Sequence, residues 1–336
     1  MSDPLILVVT SRPDTHVHQV GRHLSDKGID WIRLNTEDLY TNTVLDVSPP
    51  QGLGCVWIKD SQRSFEIGDV SAVWYRKPET PSISHLAPIE DHERRFFEAE
   101  SYENLLSLYS VLQAPPWINN PLTTRLAFRR FHQLHTARKV GMRTVRSIFT
   151  NDEDAVFRFA EQVGGPLALK SLSAVSVVSA VDGETMDQYG VLTRTIDQGD
   201  LKSLRSSIAA LPTFIQEYVP KKFDLRVVVV GRRLFACRIH SQVDDLTKKD
   251  FRIATKALEH ELVDLPTHLE AMIYSFMDVL GIDFGCFDFL EVEEGDPYFL
   301  ECNPNGQWLW IQERTGAPIA EAIADHLCEL AGAGRS

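Results

Sequence analysis

The sequence is poor in cysteine and contains no closely spaced cysteine pair. No C-x-x-C occurs among its five cysteines, which are Cys55, Cys237, Cys286, Cys302 and Cys328. The odd count and wide spacing argue against the disulfide framework of a small secreted domain and favour reduced thiols in a cytosolic protein. Long apolar runs and a signal-peptide core are also lacking, so we expect a cytoplasmic protein with no membrane-spanning helix.

An excess of positive charge is absent too. The formal net charge is −13, so the chain has no surplus of cations with which to release counterions from a nucleic acid, and we expect no nucleic-acid partner. Any site for an anionic ligand must therefore concentrate lysine and arginine locally. The length of 336 residues exceeds what one hydrophobic core usually organises, which predicts two or three domains that share a cleft.

The order of apolar segments predicts an α/β fold. Strands at Leu5–Thr10, Asp30–Leu34 and Val70–Tyr75 are separated by helical patterns, which favours a parallel sheet in an N-terminal domain, residues 1–118. The pattern in residues 119–212 predicts a small α+β lid. The pattern in residues 213–336 predicts a strand-rich C-terminal domain. We also expect helices at Ile89–Leu112 and Leu122–Val140, and a capping box in which Thr150 pairs with Glu153.

Two neighbouring strands near the C-terminus carry candidate metal ligands. Residues 287–291 alternate apolar and polar side chains, so Asp288 projects away from its two phenylalanine neighbours. A Gly-Asp-Pro turn at 295–297 predicts a hairpin, which would bring Asp288 beside Glu301 and Asn303 on one face. Hard oxygen ligands in this arrangement suit Mg²⁺. The alternative is a strand pair whose outer residues are merely polar.

A lysine at the end of an apolar strand suggests a phosphate site. Lys170 follows the apolar residues 167–169, and burying a lysine there is costly unless an anion meets it. The alternative is a surface lysine whose stem lies along the apolar residues. Further along the chain, Phe214–Val219 predicts a strand whose free backbone edge would pair with adenine; it contains Gln216, Glu217, Tyr218 and Val219.

The next strand carries an acid and an arginine on one face. Asp224 would accept hydrogen bonds from ribose hydroxyls, and Arg226 lies two residues further on. A hairpin with a salt-bridged face is the alternative. Arg238, His240 and Arg252 add positive charge in this half of the chain, and guanidinium groups match phosphoryl oxygens in a bidentate manner.

In this combination and order, the residues resemble the ATP-grasp superfamily. The order is a lid lysine, Q-E-Y-V at 216–219, D-L-R at 224–226, D-F-R at 250–252, a strand aspartate and E-x-N at 301–303. Within the superfamily the sequence is most similar to the microviridin-type peptide macrocyclising ligases, the graspetide synthetases. That closer similarity also rests on V-W-Y-R-K-P at 73–78, I-H-S-Q at 239–242 and N-P-N-G-Q-W at 303–308.

The resemblance implies an ATP-grasp fold with an N-terminal pre-ATP-grasp domain, a central lid and a C-terminal antiparallel sheet. It implies ATP and Mg²⁺ as cofactors, and the roles that follow carry over residue by residue. Asp288, Glu301 and Asn303 match the metal ligands, Lys170 and Glu217–Val219 the nucleotide contacts, Asp224 the ribose acid, and Arg226 and Arg252 the arginines facing phosphate and acyl phosphate. The family's first-helix lysine corresponds to Arg130, with Arg129 as the alternative register.

The implied substrate is a ribosomally made precursor peptide with a leader and a core rich in Asp or Glu plus Thr, Ser or Lys. Its side-chain carboxylates would be phosphorylated by ATP and then closed into esters or amides. Arg76, Arg238 and His240 would contact this peptide; for Arg76 the alternative is a salt bridge within the sheet. We also expect a homodimer. The competing hypotheses are an ATP-grasp ligase that joins separate molecules and a nucleotide-binding module without catalysis.

One departure concerns the lid loop. The superfamily usually covers the phosphates with a glycine-rich loop, whereas residues 171–176 here contain no glycine. Serine hydroxyls would have to replace the backbone contacts that glycines allow.

Overall fold

A computed structural model describes the protein over residues 4–47, 54–83, 88–172, 176–177, 189–190, 194–244, 247–248 and 258–333. The N-terminal part contains a parallel sheet in the order β2-β1-β6-β7. Its elements are β1 (Leu5–Thr10), α1 (His16–Asp26), β2 (Asp30–Asn35), β6 (Val70–Tyr75), α2 (Asp91–Val111) and β7 (Trp117–Ile118), and between β2 and β6 lies a small antiparallel sheet of β3 (Thr43–Asp46), β4 (Cys55–Ile58) and β5 (Arg63–Glu66). Strand β1 is buried at every position, as an inner parallel strand covered on both faces should be.

Two helices follow where the sequence predicted one. α3 (Pro121–Ala127) and α4 (Arg130–Lys139) are separated because Arg129 adopts an extended backbone and precedes the first turn of α4. No glycine or proline marks this break, so the sequence carries no signal for it. Both helices pack against the C-terminal sheet, and α4 also contacts the lid, where the Phe131 ring packs on Phe149 and Phe214.

The lid is a four-stranded antiparallel sheet in the order β12-β9-β13-β8. Its elements are β8 (Ser147–Thr150), α5 (Glu153–Val163), β9 (Leu167–Lys170), β12 (Arg194–Ile196), α6 (Gln198–Ser203), α7 (Arg205–Ala210) and β13 (Thr213–Glu217), with a short pair β10 (Ser176–Val177) and β11 (Tyr189–Gly190) beside it. The capping box expected at Thr150 is wrong. Asp152 caps α5 instead, because its side chain accepts from the backbone N–H groups of Asp154 and Ala155.

The C-terminal sheet is antiparallel, in the order β16-β15-β14-β17-β18. Its elements are β14 (Phe223–Val230), β15 (Arg233–Ile239), β16 (His260–Val263), α8 (Thr267–Leu280), β17 (Phe284–Glu291) and β18 (Tyr298–Asn303), followed by α9 (Leu309–Thr315) and α10 (Ile319–Ala333). The described helices include none that is both long and apolar enough to span a bilayer.

Strand β14 separates two hydrophobic cores. Val228 and Val230 pack with α1, α10 and one face of the N-terminal sheet, whereas Val227 and Val229 pack with α4 and α8. The lid has a core of its own, built from residues between 148 and 215. The N-terminal and C-terminal sheets therefore share one core, and the lid is the part that packs mainly on itself.

A buried asparagine is one of the links between the two large sheets. Asn119, which follows β7, donates from Nδ2 to the carbonyl oxygens of Phe284 and Pro304. Its Oδ1 accepts from the backbone N–H groups of Asp283 and Phe284. The side chain is 1% exposed, so these bonds replace contacts with water and hold the start of β17 next to the loop that follows β18.

Candidate active site

A β-bulge arranges the candidate metal ligands. Asp288 pairs with Glu301 and Cys286 with Asn303, and the register shifts between Asp288 and Phe289. The shift places one extra residue in β18, between Phe299 and Glu301. As a result, Phe299 and Cys302 both face the core on one side of the sheet. Glu301 and Asn303 are thereby turned to the face of Asp288, as the sequence predicted, and the predicted hairpin is confirmed.

Two arginines meet this acidic face. Arg226, on the adjacent strand β14, brings Nη1 to 2.9 Å from both carboxylate oxygens of Asp288 and donates from Nη2 to the Gln307 carbonyl at 3.1 Å. Arg130, at the start of α4, donates to Glu301 Oε2 at 2.5 Å. Burial lowers the pKa of Arg226, but the charge and hydrogen bond of Asp288, together with the charge of Glu301, raise it overall, so the guanidinium stays charged.

The loop after β18 closes tightly on Arg226. A Cβ atom at position 306 would lie 2.4 Å from Cys286 Cβ and 2.8 Å from Arg226 Nη2, so only glycine fits there. Asn303 Oδ1 accepts from the Asn305 backbone N–H at 2.9 Å, which orients the amide at the strand end. The N-P-N-G-Q motif therefore both orients the Asn303 amide and holds the Arg226 guanidinium in place.

The donor set suits a hard cation. It consists of two partly exposed carboxylates and one amide oxygen, with side-chain exposures of 18% for Asp288 and 34% for Glu301. The described residues contain no cluster of three or more His, Cys, Asp or Glu side chains that would hold a metal. Two carboxylates with room for water and phosphate oxygens match the coordination that Mg²⁺ prefers.

The candidate nucleotide residues lie on the lid and on its connection to β14. Lys170 ends β9, opposite Phe214 of β13. Strand β13 pairs with β9 on one side and β8 on the other, so the expectation of a free edge along this strand is wrong. Its pairing ends at Glu217, and the Tyr218 N–H bonds to the Pro166 carbonyl. This leaves Val219 as the residue whose N–H makes no bond within the described part of the chain.

Two further nucleotide candidates are buried. Gln216 is 1% exposed and donates to Ser147 Oγ, while its Oε1 has no hydrogen-bond partner within the described residues. Asp224 lies on the same face of β14 as Arg226 and forms a buried ion pair with Lys221 at 2.6 Å. A ribose at Asp224 would share the carboxylate with Lys221, a partner that sequence reasoning missed.

Arg238 and His240 project from the opposite face of the C-terminal sheet. Arg238 lies opposite Leu225, which faces the core formed with α8, whereas Arg226 faces the other way. Arg238 makes two bonds of 2.9 Å to Glu291, and the ring of His240 packs on Phe223 at 4.8 Å. The structure therefore does not bring these two residues to Asp288, and their contact with a substrate stays a prediction. Arg252 lies outside the described residues.

The expectation that Arg76 faces a bound peptide is wrong. Its side chain is 1% exposed, with Nη1 donating to the Asn305 carbonyl at 2.5 Å and Nε 3.6 Å from Asp14 Oδ2. The structure agrees better with the alternative, in which Arg76 forms an ion pair. In addition to that ion pair, Arg76 binds the C-terminal loop, which lies outside the sheet. Arg76 thus ties the end of β6 to the loop that supports Arg226.

Asp14 is a functional candidate that sequence reasoning missed. It accepts hydrogen bonds from Thr10 Oγ1 and His16 Nδ1 at 3.1 and 2.8 Å, in addition to the ion pair with Arg76. Burial would raise the pKa of Asp14, but the His16 hydrogen bond and the charge of Arg76 lower it to about 2. The signal was available, since Asp14 follows β1 at the same sheet edge where Arg76 follows β6.

Solved structures of ATP-grasp ligases have the same fold over almost the whole chain. A RiPP-associated ATP-grasp ligase of Chryseobacterium gregarium, in complex with ADP and a leader and core peptide, matches with a TM-score of 0.87 at 24% identity over 97% of each chain. The macrocyclase MdnC of Microcystis aeruginosa, bound to the precursor peptide MdnA, matches at 0.83 with 24% identity, and covers 97% of this chain and 99% of its own. The macrocyclase MdnB of the same organism matches at 0.76 with 25% identity over 96% and 99%.

The fold is therefore that of the ATP-grasp ligases, and the predicted fold class is confirmed. Residues 5–125 match the family model described as the MvdD pre-ATP grasp domain, which supports the predicted resemblance over the N-terminal part as well. No curated protein matches the chain.

The buried ion pair predicts a stability effect. Arg76→Met should destabilise the fold by about 3–5 kcal/mol, because it leaves Asp14 buried without its cation. Arg232→Met is the control, since Arg232 forms an exposed pair with Asp278 worth about 1 kcal/mol or less. Chemical denaturation of both variants measures the difference, and equal stability of the two would contradict the assignment.

The same pair predicts a pH dependence. The folded-state pKa of Asp14 is depressed, so its stabilising contribution is present above the ordinary carboxyl pKa of about 4 and is lost as the pH falls toward about 2. Removing Arg76 raises that folded pKa and should flatten the acid limb of the stability curve. An identical acid dependence in Arg76→Met and the native protein would argue that Asp14 draws its low pKa from His16 alone.

Proposed function

We propose that the protein is an ATP-dependent carboxylate ligase that closes side-chain esters or amides within a ribosomally made precursor peptide. The observation that carries the proposal is the oxygen-rich face of Asp288, Glu301 and Asn303 beside two arginines, in a chain whose fold matches peptide-binding ATP-grasp ligases along its whole length. ATP and Mg²⁺ are the proposed cofactors, as in the related structures that hold ADP and Mg.

The proposed chemistry has two steps. A substrate carboxylate oxygen attacks the γ-phosphorus of ATP, which gives an acyl phosphate and ADP. A hydroxyl or amine of the same peptide then attacks the acyl carbon, loses its proton and expels phosphate. Mg²⁺ held by Asp288, Glu301 and Asn303 would neutralise charge on the phosphates.

Arg226 and Arg130 supply the protein's own positive charge in this reaction. Each is held by a carboxylate of the oxygen-rich face, so a cation bound there would compete for those carboxylates and leave the guanidinium groups to the phosphoryl oxygens. Lys170, Asp224 and the segment 216–219 would hold the nucleotide from the lid side. Arg252 would face the acyl phosphate.

The competing proposal is a ligase that joins separate molecules. It would use the same phosphoryl chemistry, so the acidic face does not discriminate between the two. The structural match to ligases with leader and core peptides favours the intramolecular reaction.

Mass spectrometry tests the function directly. The protein is incubated with ATP, Mg²⁺ and an acidic, Thr-rich peptide encoded near its gene; each ring closed should remove one water and consume one ATP as ADP and phosphate. A peptide that gains mass by addition of a separate amino acid would favour the competing ligase. AMP as the stoichiometric product would overturn the acyl-phosphate mechanism.

The metal assignment predicts the effect of two substitutions. Asp288→Asn and Glu301→Gln should each slow ring closure on the order of a thousandfold, because magnesium carries part of the transition-state stabilisation. Glu293→Gln, at an exposed acid paired with Lys222, is the control and should leave the rate unchanged. Near-native rates of both site variants at saturating Mg²⁺ would contradict the metal site.

A homodimer is also proposed, through the first half of α2. Residues 91–100 are exposed on every side of this helix, including Phe96 at 60% and Phe97 at 37%. An exposed aromatic pair flanked by charges of both signs is a self-complementary surface. If two helices pair antiparallel about the midpoint of these phenylalanines, Arg95 of one copy lies opposite Glu98 of the other.

Sedimentation tests the dimer. Replacing Phe96 and Phe97 together by serine should yield a folded monomer, because their side chains contribute little to the protomer's own core. Leu211→Ser, at a lid leucine that is 70% exposed, should leave the dimer intact. A native protein that is monomeric at micromolar concentration, or a dimer that survives the double substitution, would refute this interface.

We also propose that the chain is divided into the three domains of an ATP-grasp ligase. Residues 1–118, 119–212 and 213–336 would act as the pre-ATP-grasp domain, the lid and the metal-bearing domain, with residues 121–142 packed on the last of these. A cytoplasmic location is proposed from the reduced cysteines.

A further inference from the structure

We propose that Lys77 is the cation that receives the carboxylate group of the acyl substrate and thereby determines specificity for acidic residues. The inference deepens the proposed function and rests on it. It starts from a contrast between two consecutive cations at the end of β6. Arg76 is buried and bound to Asp14 and to the 305–307 loop, whereas Lys77 is half-buried and pairs with no carboxylate in the described part of the chain.

The electrostatic environment of Lys77 is unfavourable to its charge. Burial lowers the pKa of Lys77, and the positive charge of Arg76 lowers it further, while Asp14 compensates only in part. Asp14 is already engaged by Arg76, His16 and Thr10. A lysine in such a place is stabilised when an anion arrives, because the anion restores the electrostatic partner that burial has removed.

The residue before Lys77 is joined to the candidate reaction site. Arg76 Nη1 donates to the Asn305 carbonyl, and the Gln307 carbonyl in the same loop accepts from Arg226, which holds Asp288. Because Lys77 directly follows Arg76, an anion at Lys77 would lie at the end of β6 that this loop connects to Arg226 and Asp288.

The position of Lys77 favours the acyl substrate over the nucleotide. Lys170 and the segment 216–219 lie on the lid or at its end, whereas Lys77 comes from the N-terminal sheet, across the shared core from β14. A group that contacts Lys77 would thus approach from the side of the N-terminal domain. A lysine attracts a carboxylate and a phosphate alike, so the experiment must distinguish an effect on peptide binding from an effect on ATP binding.

The test compares Lys77→Met and Lys77→Arg with the native enzyme in steady-state ring closure. The methionine variant should raise KM for the acidic peptide by about tenfold to a hundredfold, as expected for loss of one charge-assisted hydrogen bond. KM for ATP and the melting temperature should stay close to native, and arginine should restore most of the affinity. Lys59→Met, at an exposed lysine of the same domain, should behave as native.

A binding measurement that needs no turnover completes the design. Fluorescence anisotropy with ADP present compares the acidic core peptide with a peptide whose core Asp and Glu residues are changed to Asn and Gln. The native protein should lose affinity for the neutral peptide, whereas Lys77→Met should bind both peptides alike, because the double change removes the same interaction.

The outcomes separate cleanly. A raised KM for ATP with peptide affinity unchanged would assign Lys77 to phosphate and overturn the inference, as would native behaviour of Lys77→Met in both assays. A large loss of melting temperature would make Lys77 structural. If the native protein binds the acidic peptide through Lys77 but closes no ring, the proposed function fails and the assignment of Lys77 as a carboxylate receptor stands.

Discussion

Two buried arginines must be neutralised for this structure to hold together. Arg76 and Arg226 are almost inaccessible to solvent, and the Born cost of burying a charge exceeds any gain from packing its stem. Each is met by a carboxylate, Asp14 and Asp288 respectively. Both also donate to the loop that follows β18, through the carbonyl oxygens of residues 305 and 307. The N-terminal sheet and the metal-bearing hairpin are therefore joined by one polar network.

This network explains why the loop after β18 has its particular sequence. Asn303 turns its amide along the loop, Gly306 allows the backbone to pass within contact distance of Arg226, and Gln307 meets both arginines. A side chain at position 306 would displace the guanidinium from Asp288. Catalytic geometry and domain docking thus depend on the same few residues, and a substitution here would affect stability and activity together.

The arrangement also shows how an acidic protein handles anionic ligands. Its net charge is −13, yet Arg130 and Arg226 bind carboxylates of the oxygen-rich face and Arg76 binds the loop that follows it. All three cations are already balanced by carboxylates, so the fold tolerates them before any ligand binds. A divalent cation would compete for two of those carboxylates, and the released arginines would then be available to phosphoryl groups. Binding of metal, nucleotide and acyl substrate would in this way be electrostatically coupled.

The sequence by itself determined most strands of both large sheets, the hairpin with Asp288, Glu301 and Asn303 on one face, and the resemblance to ATP-grasp ligases. These depend on local alternation of apolar and polar residues and on motifs that are contiguous in the chain. The sequence did not predict the short strand β7 or the edge strand β16. The free edge expected for β13 was wrong because the order of the strands depends on segments that are distant in the sequence. The single helix expected at 122–140 was wrong because the backbone at Arg129 is extended.

Only the tertiary structure decided which cations are available to a substrate. Arg76 and Lys77 are neighbours in the sequence and look alike there. Asp14 and Asn305, some 60 and 230 residues away, engage Arg76, whereas Lys77 pairs with no carboxylate among the described residues. Arg238 was expected to contact the peptide, and the register of β15 against β14 places it on the sheet face opposite to that of Arg226. The burial of a side chain, and the sheet face to which it points, depend on which strands pair. That pairing is a long-range property that no local pattern specifies.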